Sequence, residues 1–119
     1  MARVKPFPFT ALAEVKPHRF VTVNTTTGGV TYPATLAATN GISVGETTAD
    51  IQEPISIVSV ADVTETLLVE CSATIAKGAK VGGAPDGRAK VDATNGTSIA
   101  LESGVVGQII NVISAKAFV

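Results

Sequence analysis

Tryptophan is absent from the chain, tyrosine, histidine, cysteine and methionine each occur once, and aromatic residues make up 4% of the 119 positions. A single cysteine excludes an internal disulfide, so stability has to come from packing. In Thr66-Leu-Leu-Val-Glu-Cys71 that cysteine shares a strand face with Leu67 and Val69, the setting of a small buried hydrophobe rather than of a nucleophile. His18 stands alone after Pro17, and no cluster of His, Cys, Asp or Glu has the spacing of metal ligands. Glu46, Glu53, Glu65, Glu70 and Glu102 are dispersed, with no carboxyl pair placed for acid and base work. Gly28-Gly29 and Gly82-Gly83 lack the Gly-Lys-Ser/Thr ending of a phosphate loop and read as turns. Lys90 follows a hairpin turn, as a carrier-domain lysine does, without the acidic and apolar neighbours of an attachment site. No enzymatic activity and no cofactor are expected.

Charge is also scarce. Charged residues are 16% of the chain and the net charge is −1, against roughly 25% charged in soluble domains. Arg3 and Lys5 are the only basic cluster, which excludes the electrostatic footprint of a nucleic-acid binder. No apolar run approaches the ~18 residues of a membrane helix. Met1 to Phe9 lacks the apolar core of a signal peptide, so synthesis and use in a cytoplasm are expected, and the sequons at Asn24 and Asn95 read as turns.

What the chain does contain is Ala, Val, Ile and 11 glycines, with 45% hydrophobic residues and a mean hydropathy of +0.38. This suits strands and a small core. It also fits either a surface partly covered in an assembly or a bland alanine-rich one. From Ser72 to Ile113, short alternating runs are separated by turn signals at Gly78, Pro85-Asp86-Gly87, Asn95-Gly96 and Ser103-Gly104. Val81, Ala89/Val91, Ile99/Leu101 and Ile110/Val112 supply the period of two that a strand requires. Asp-Gly and Asn-Gly accept positive φ and let the chain reverse tightly. No segment of useful length has a convincing 3.6 period.

The first half echoes this module. Ala13 to Val21 aligns without a gap on Ala73 to Val81, both halves carry a Gly-Gly turn, and both carry Ala-Thr-Asn-Gly, at Ala38–Gly41 and Ala93–Gly96. Ile42–Glu46 matches Ile99–Glu102, and Ile55–Val58 matches Ile109–Val112, with the spacing drifting from 60 to 54. The expectation is an all-β domain spanning 10–119, a small β-barrel or sandwich whose halves are two degenerate pseudo-repeats, about 13–60 and 72–113. Pro33 within the run from Val30 suggests a sheet edge.

Residues 1–9 read as an extended N-terminal arm, because Pro6 and Pro8 fix φ and remove amide donors. Its aromatic residues, Phe7 and Phe9, either dock onto a partner or lie back on the domain. In Ile109-Ile-Asn-Val-Ile113, Ile110 and Val112 face one way while Ile109 and Ile113 face the other with Asn111. One face serves the core, and Ile109 and Ile113 become candidates for an oligomer interface.

The order of these elements resembles the small head decoration (capsid cement) proteins of tailed bacteriophages. It runs as Ala73-x-Ile75 before a glycine turn, an Asp86-Gly-Arg-x-Lys-Val91 hairpin, an Ile99-Ala-Leu-Glu102 strand, a glycine-containing loop and Ile109-Ile-x-Val112. The resemblance is clearest over Ala73 to Val112 and weaker over Ala13 to Val58, where the long loop Gly45 to Pro54 departs from the pattern. It implies a structural protein of the virion, a homotrimer on the outer surface of the capsid. The arm residues Arg3, Val4, Lys5, Pro6, Phe7, Pro8 and Phe9 would then reach onto the major capsid protein. A small β-barrel binding or carrier module of a larger complex is the alternative, separable by its monomeric mass. Neither nucleic acid nor membrane is expected as a partner.

Overall fold

The computed structural model describes residues 7–24, 26–33, 39–44, 48–61 and 66–118. In chain order they form β1 (Phe7–Ala11), β2 (Phe20–Asn24), β3 (Gly29–Thr31), β4 (Gly41–Val44) and β5 (Pro54–Ser59). β6 (Leu67–Glu70), β7 (Lys80–Gly83), β8 (Ala89–Val91), β9 (Ser98–Ala100), β10 (Ile109–Ser114) and a 3-10 turn over Ala115–Phe118 follow. Among the described residues there is no α-helix, and the all-β class stands.

The first five strands close a barrel in the order β1-β3-β2-β4-β5, and the last five form a sheet in the order β6-β10-β9-β7-β8. A parallel bridge from Cys71 to Ala89 ties edge strands β6 and β8, curling the second sheet toward closure. Each half of the chain therefore builds its own curled sheet; the halves do not share one barrel.

The two units have the same wiring. Phe9 pairs with Ile55 as Val69 pairs with Ile110. Phe20 pairs with Ile42 as Lys80 pairs with Ile99. The bridge from Val15 to Ala49 recurs as Ile75 to Gly104. These registers correct two of the sequence matches. Gly41, partner of Val21 and Ser59, corresponds to Ser98, partner of Val81 and Ser114, so the two Ala-Thr-Asn-Gly stretches are not equivalent. Ile55 and Ile57 correspond to Ile110 and Val112, one residue later than the composition match. A slip of one residue in a strand exchanges its faces, and all four of these side chains are buried.

The arm boundary is also corrected. Phe7, Pro8 and Phe9 belong to β1, which pairs with β5 and closes the first barrel. Arg3, Val4, Lys5 and Pro6 lie outside the described residues. Proline suits this strand because Thr10 donates its amide to Gly28, away from β5, at 2.9 Å. The Thr10–Pro54 and Pro8–Ser56 pairs are thus the ones that exchange no ladder bonds. Pro33 is buried just past β3, which lies between β1 and β2 rather than at an edge.

Two cores result. Ala11, Val15, Val21, Val23, Val30, Ile55 and Ile57 fill the first barrel. The second contains Val69, Cys71, Ile75, Val81, Ala89, Ala100, Ile110 and Val112, joined by Phe20 and Ile42 from the first half. Since neighbouring strand residues point to opposite faces, Val21 fills its own barrel while Phe20 leaves it to plug the other.

Turn geometry distinguishes the copies. His18 and Gln52 have φ of 60° and 71°, and glycine, as Gly78 and Gly107 with φ of 89° and 85°, takes the equivalent place in the second half. A side chain in this left-handed region costs roughly 1–2 kcal/mol, partly offset because glycine loses about 0.4–1 kcal/mol more entropy on folding. Gln52 is exposed. Gln52→Gly is therefore expected to raise stability by about 0.5 kcal/mol, read as a higher urea midpoint; a lower midpoint would refute strain at this turn.

Candidate docking surface

A cluster of bonded polar groups lies where the halves meet. Phe20 donates its amide to the Gly87 carbonyl at 2.6 Å and Glu70 donates its amide to the His18 carbonyl at 3.0 Å. In the first barrel the residue equivalent to Glu70, Thr10, bonds directly to Gly28. The segment His18–Phe20 thus occupies, in the second unit, the place of a bond that closes the first. Arg19 goes in with it, buried, with Nη1 donating to the Asp86 carbonyl at 2.8 Å and Nη2 on Glu70 Oε1 at 3.3 Å. Arg88 contacts Glu70 Oε2 at 3.6 Å and Asp86 Oδ2 at 2.7 Å. Burial pushes the Asp86 carboxyl up, but the backbone and guanidinium bonds from Arg88, and the charges of Arg88 and Arg19, bring it below its ordinary value.

Close approach explains the glycines here. A Cβ on Gly83 would stand 2.6 Å from Pro33 Cγ and 2.7 Å from Phe20 Cβ. One on Gly87, whose φ is +81°, would meet Tyr32 at 2.6 Å. The cluster is held together by its own pairing. Its charges pair with one another, and its geometry is that of a clasp.

Among the expected site residues, Ile109 is 46% exposed on the outer face of β10, opposite buried Ile110 and Val112. Ile113, on the same outer face, is half-buried. Phe9 packs against the first core. Cys71 is buried, and burial followed by the charges of Glu102 and Glu70 pushes its thiol up, away from reactive thiolate. The described residues include no group of three His, Cys, Asp or Glu able to hold a metal ion. No helix among them is long and apolar enough to cross a membrane.

Sequence reasoning missed two features. The Arg19, Glu70, Asp86 and Arg88 clasp joins residues far apart in the chain, with no local signal. The second is that Leu68, Val105 and Val106 are exposed near Ile109. Leu68 lies opposite Asn111 and Ile109 opposite Glu70, so Leu68 and Ile109 are diagonal neighbours on the outer face. Gln108, one residue before Ile109, donates its amide to Val105 at 3.0 Å, bringing the Val105-Val106 turn to the end of that strand. Two adjacent valines in a glycine-flanked turn were the available clue. Leu12 and Ile51 are exposed on the first barrel.

No family model matches the chain, and no curated protein resembles it in sequence. Among solved structures, the crystal structure of the N base of the head fiber protein gp8.5 of bacteriophage phi29 has the same fold. The TM-score is 0.68 at 16% identity, over 92% of each chain.

Proposed function

We propose that this chain is a structural protein of a bacteriophage head, a decoration protein that binds the outer surface of the expanded shell and stabilises it at subunit junctions. The observation that carries the reading is the likeness of fold, over nearly the whole length of both chains, to the base of a phage head fiber. The order of sequence motifs from Ala73 to Val112, which resembles that of head decoration proteins, supports the same reading. The partner is the major capsid protein, and the working form is a homotrimer with Ile109 and Ile113 near the contact between copies. A clamp that binds only the expanded shell stabilises it by mass action, since its binding free energy is absent from the unexpanded state. A net charge of −1 and apolar contacts would make attachment insensitive to salt.

The direct test is to incubate purified protein with expanded and unexpanded heads, pellet the heads and image them. Saturable labelling of expanded heads is the expected result, and equal retention with and without heads refutes the reading. Truncation separates shell contact from folding. Removing residues 1–6 is expected to leave the melting transition unchanged while weakening head binding. Removing residues 1–9 also deletes most of β1 with its pairing to β5 and the partly buried Phe9, and is expected to lower the melting transition. If both truncations melt like the full chain, β1 is dispensable and does not close the first barrel.

A further inference from the structure

The chain has four asparagines, and two of them precede glycine, in Asn40-Gly41 and Asn95-Gly96. Packing fixes both glycines. A Cβ on Gly41 would stand 2.5 Å from Ile57 Cγ2, and one on Gly96 would stand 2.5 Å from the Asp92 carbonyl oxygen and 2.9 Å from Lys80 Cβ. The two asparagine side chains are held very differently. Asn40 Oδ1 accepts the Val23 amide at 2.8 Å and its Nδ2 donates to the Val23 carbonyl at 3.0 Å. Gly41 pairs with Val21 on one side and Ser59 on the other. Asn95 is exposed, and its side chain makes no hydrogen bond to any described residue. Its backbone is held by Asp92, whose Oδ1 accepts the amides of Thr94 at 3.1 Å and Asn95 at 2.9 Å. The Gly96 amide donates to the Asp92 carbonyl at 2.9 Å.

We infer that Asn95 is a site of spontaneous deamidation, which ages the turn between β8 and β9 while Asn40 stays intact in the folded protein. In this reaction the Gly96 nitrogen attacks the Asn95 side-chain carbonyl carbon. A C–N bond forms there, the bond from that carbon to Nδ2 breaks, and ammonia leaves with the proton given up by the Gly96 amide. Water then opens the five-membered imide at one of its two carbonyls, giving aspartate or isoaspartate. No oxidant or reductant takes part. Glycine favours the attack because no Cβ crowds its nitrogen. Thr25 and Val112, which follow the other two asparagines, are β-branched and crowd it. The asparagine side chain must turn toward the next amide, and here the two sites differ. At Asn95 only the bond from Gly96 to Asp92 has to open, in an exposed turn. At Asn40 both bonds to Val23 have to break at the start of a barrel strand. The products strain the turn. Aspartate puts a second carboxylate beside Asp92, and isoaspartate adds a methylene to the backbone just before the Thr97 amide, which donates to the Val81 carbonyl at 3.0 Å.

The test is to incubate the full-length protein in neutral and in mildly alkaline buffer, then digest it and map the peptides by mass spectrometry. The Asn95 peptide should gain the mass difference between an amide and an acid. The gain should be faster at the higher pH, because the attacking nitrogen must lose its proton. Intact protein should yield a more acidic species on ion exchange. Asn40 should convert at least about tenfold more slowly, the weight of its two side-chain hydrogen bonds. In denaturant the two sites should react at similar rates, which separates protection by the fold from local sequence. Asn95→Ser should melt as the wild type does and yield no acidic species. Equal conversion of Asn40 and Asn95 in the folded protein overturns the inference. Absence of conversion at Asn95 in the folded protein overturns it too, because the Asp92 turn would then protect it. Head labelling is a separate measurement, so the decoration reading stands or falls independently.

Discussion

Phe20→Ala is expected to unfold the second half of the protein more than the first, although Phe20 belongs to the first. Its side chain is fully buried in the core of β6 to β10, beside Val81, Ile110 and Val112. Truncating a buried Phe costs about 3–5 kcal/mol in lost transfer energy and cavity formation, a large share of the roughly 5–15 kcal/mol that holds a domain together. The first barrel keeps its own core from Ala11 to Ile57, without Phe20. Amide hydrogen exchange followed strand by strand checks the asymmetry. Protection should fall in β7, β9 and β10 more than in β4 and β5. An even loss across both units would show that they unfold together and that Phe20 is not a plug between separable cores. By the same logic Val21→Ala, directed into the first barrel, should reverse the pattern.

Arg19→Met should loosen the same junction by removing the clasp while keeping most of the side-chain volume. The guanidinium bonds to the Asp86 carbonyl and to Glu70 are lost, and hydrogen bonds involving charged groups contribute about 1.5–3 kcal/mol each. Two facts reduce the cost. Arg19 Nε is buried without a partner, so the substitution also removes an uncompensated polar atom, and Glu70 retains Arg88. The expected loss is about 1–3 kcal/mol, seen as a lower denaturant midpoint, and an unchanged midpoint would show that the clasp contributes only orientation. Acid should act on the same group. Because the folded-state pKa of Asp86 lies below its unfolded value, folding is favoured by this group above about pH 4 and loses that contribution as pH falls through the folded value. Asp86→Asn should flatten the acid limb of stability against pH, leaving the part due to Glu102, whose carboxyl is also lowered. A limb as steep as the wild type's would remove Asp86 from the linkage.

Several elements were legible because their signals are local. The turns at Pro85-Asp86-Gly87 and Asn95-Gly96 announce reversals, and alternation in Ile109-Ile-Asn-Val-Ile113 separated the buried pair from the outer one, as observed. The N-terminal prolines misled for a local reason too. Proline removes a donor, but in an antiparallel ladder every second residue directs its donor away from a given neighbour, and Pro8 falls at such a place. Matching composition between the halves misplaced the later strands by one or two residues, because loop lengths differ and only pairing shows the register.

Taken alone, the sequence determined the all-β class, the positions of most turns, the absence of a disulfide, and which face of β10 is apolar toward the core. Those properties depend on residues within a few positions of one another. The tertiary structure decided that each half forms its own curled sheet, that the first is closed by β1, and that the second is opened and filled by Phe20 and Arg19 of the first. It also decided that Leu68 and Ile109 are diagonal neighbours on the outer face of β6 and β10. These depend on contacts between residues distant in the chain, where side chains of the same apolar type are equally able to face either core, and only the fit of volumes and backbone bonds selects between them.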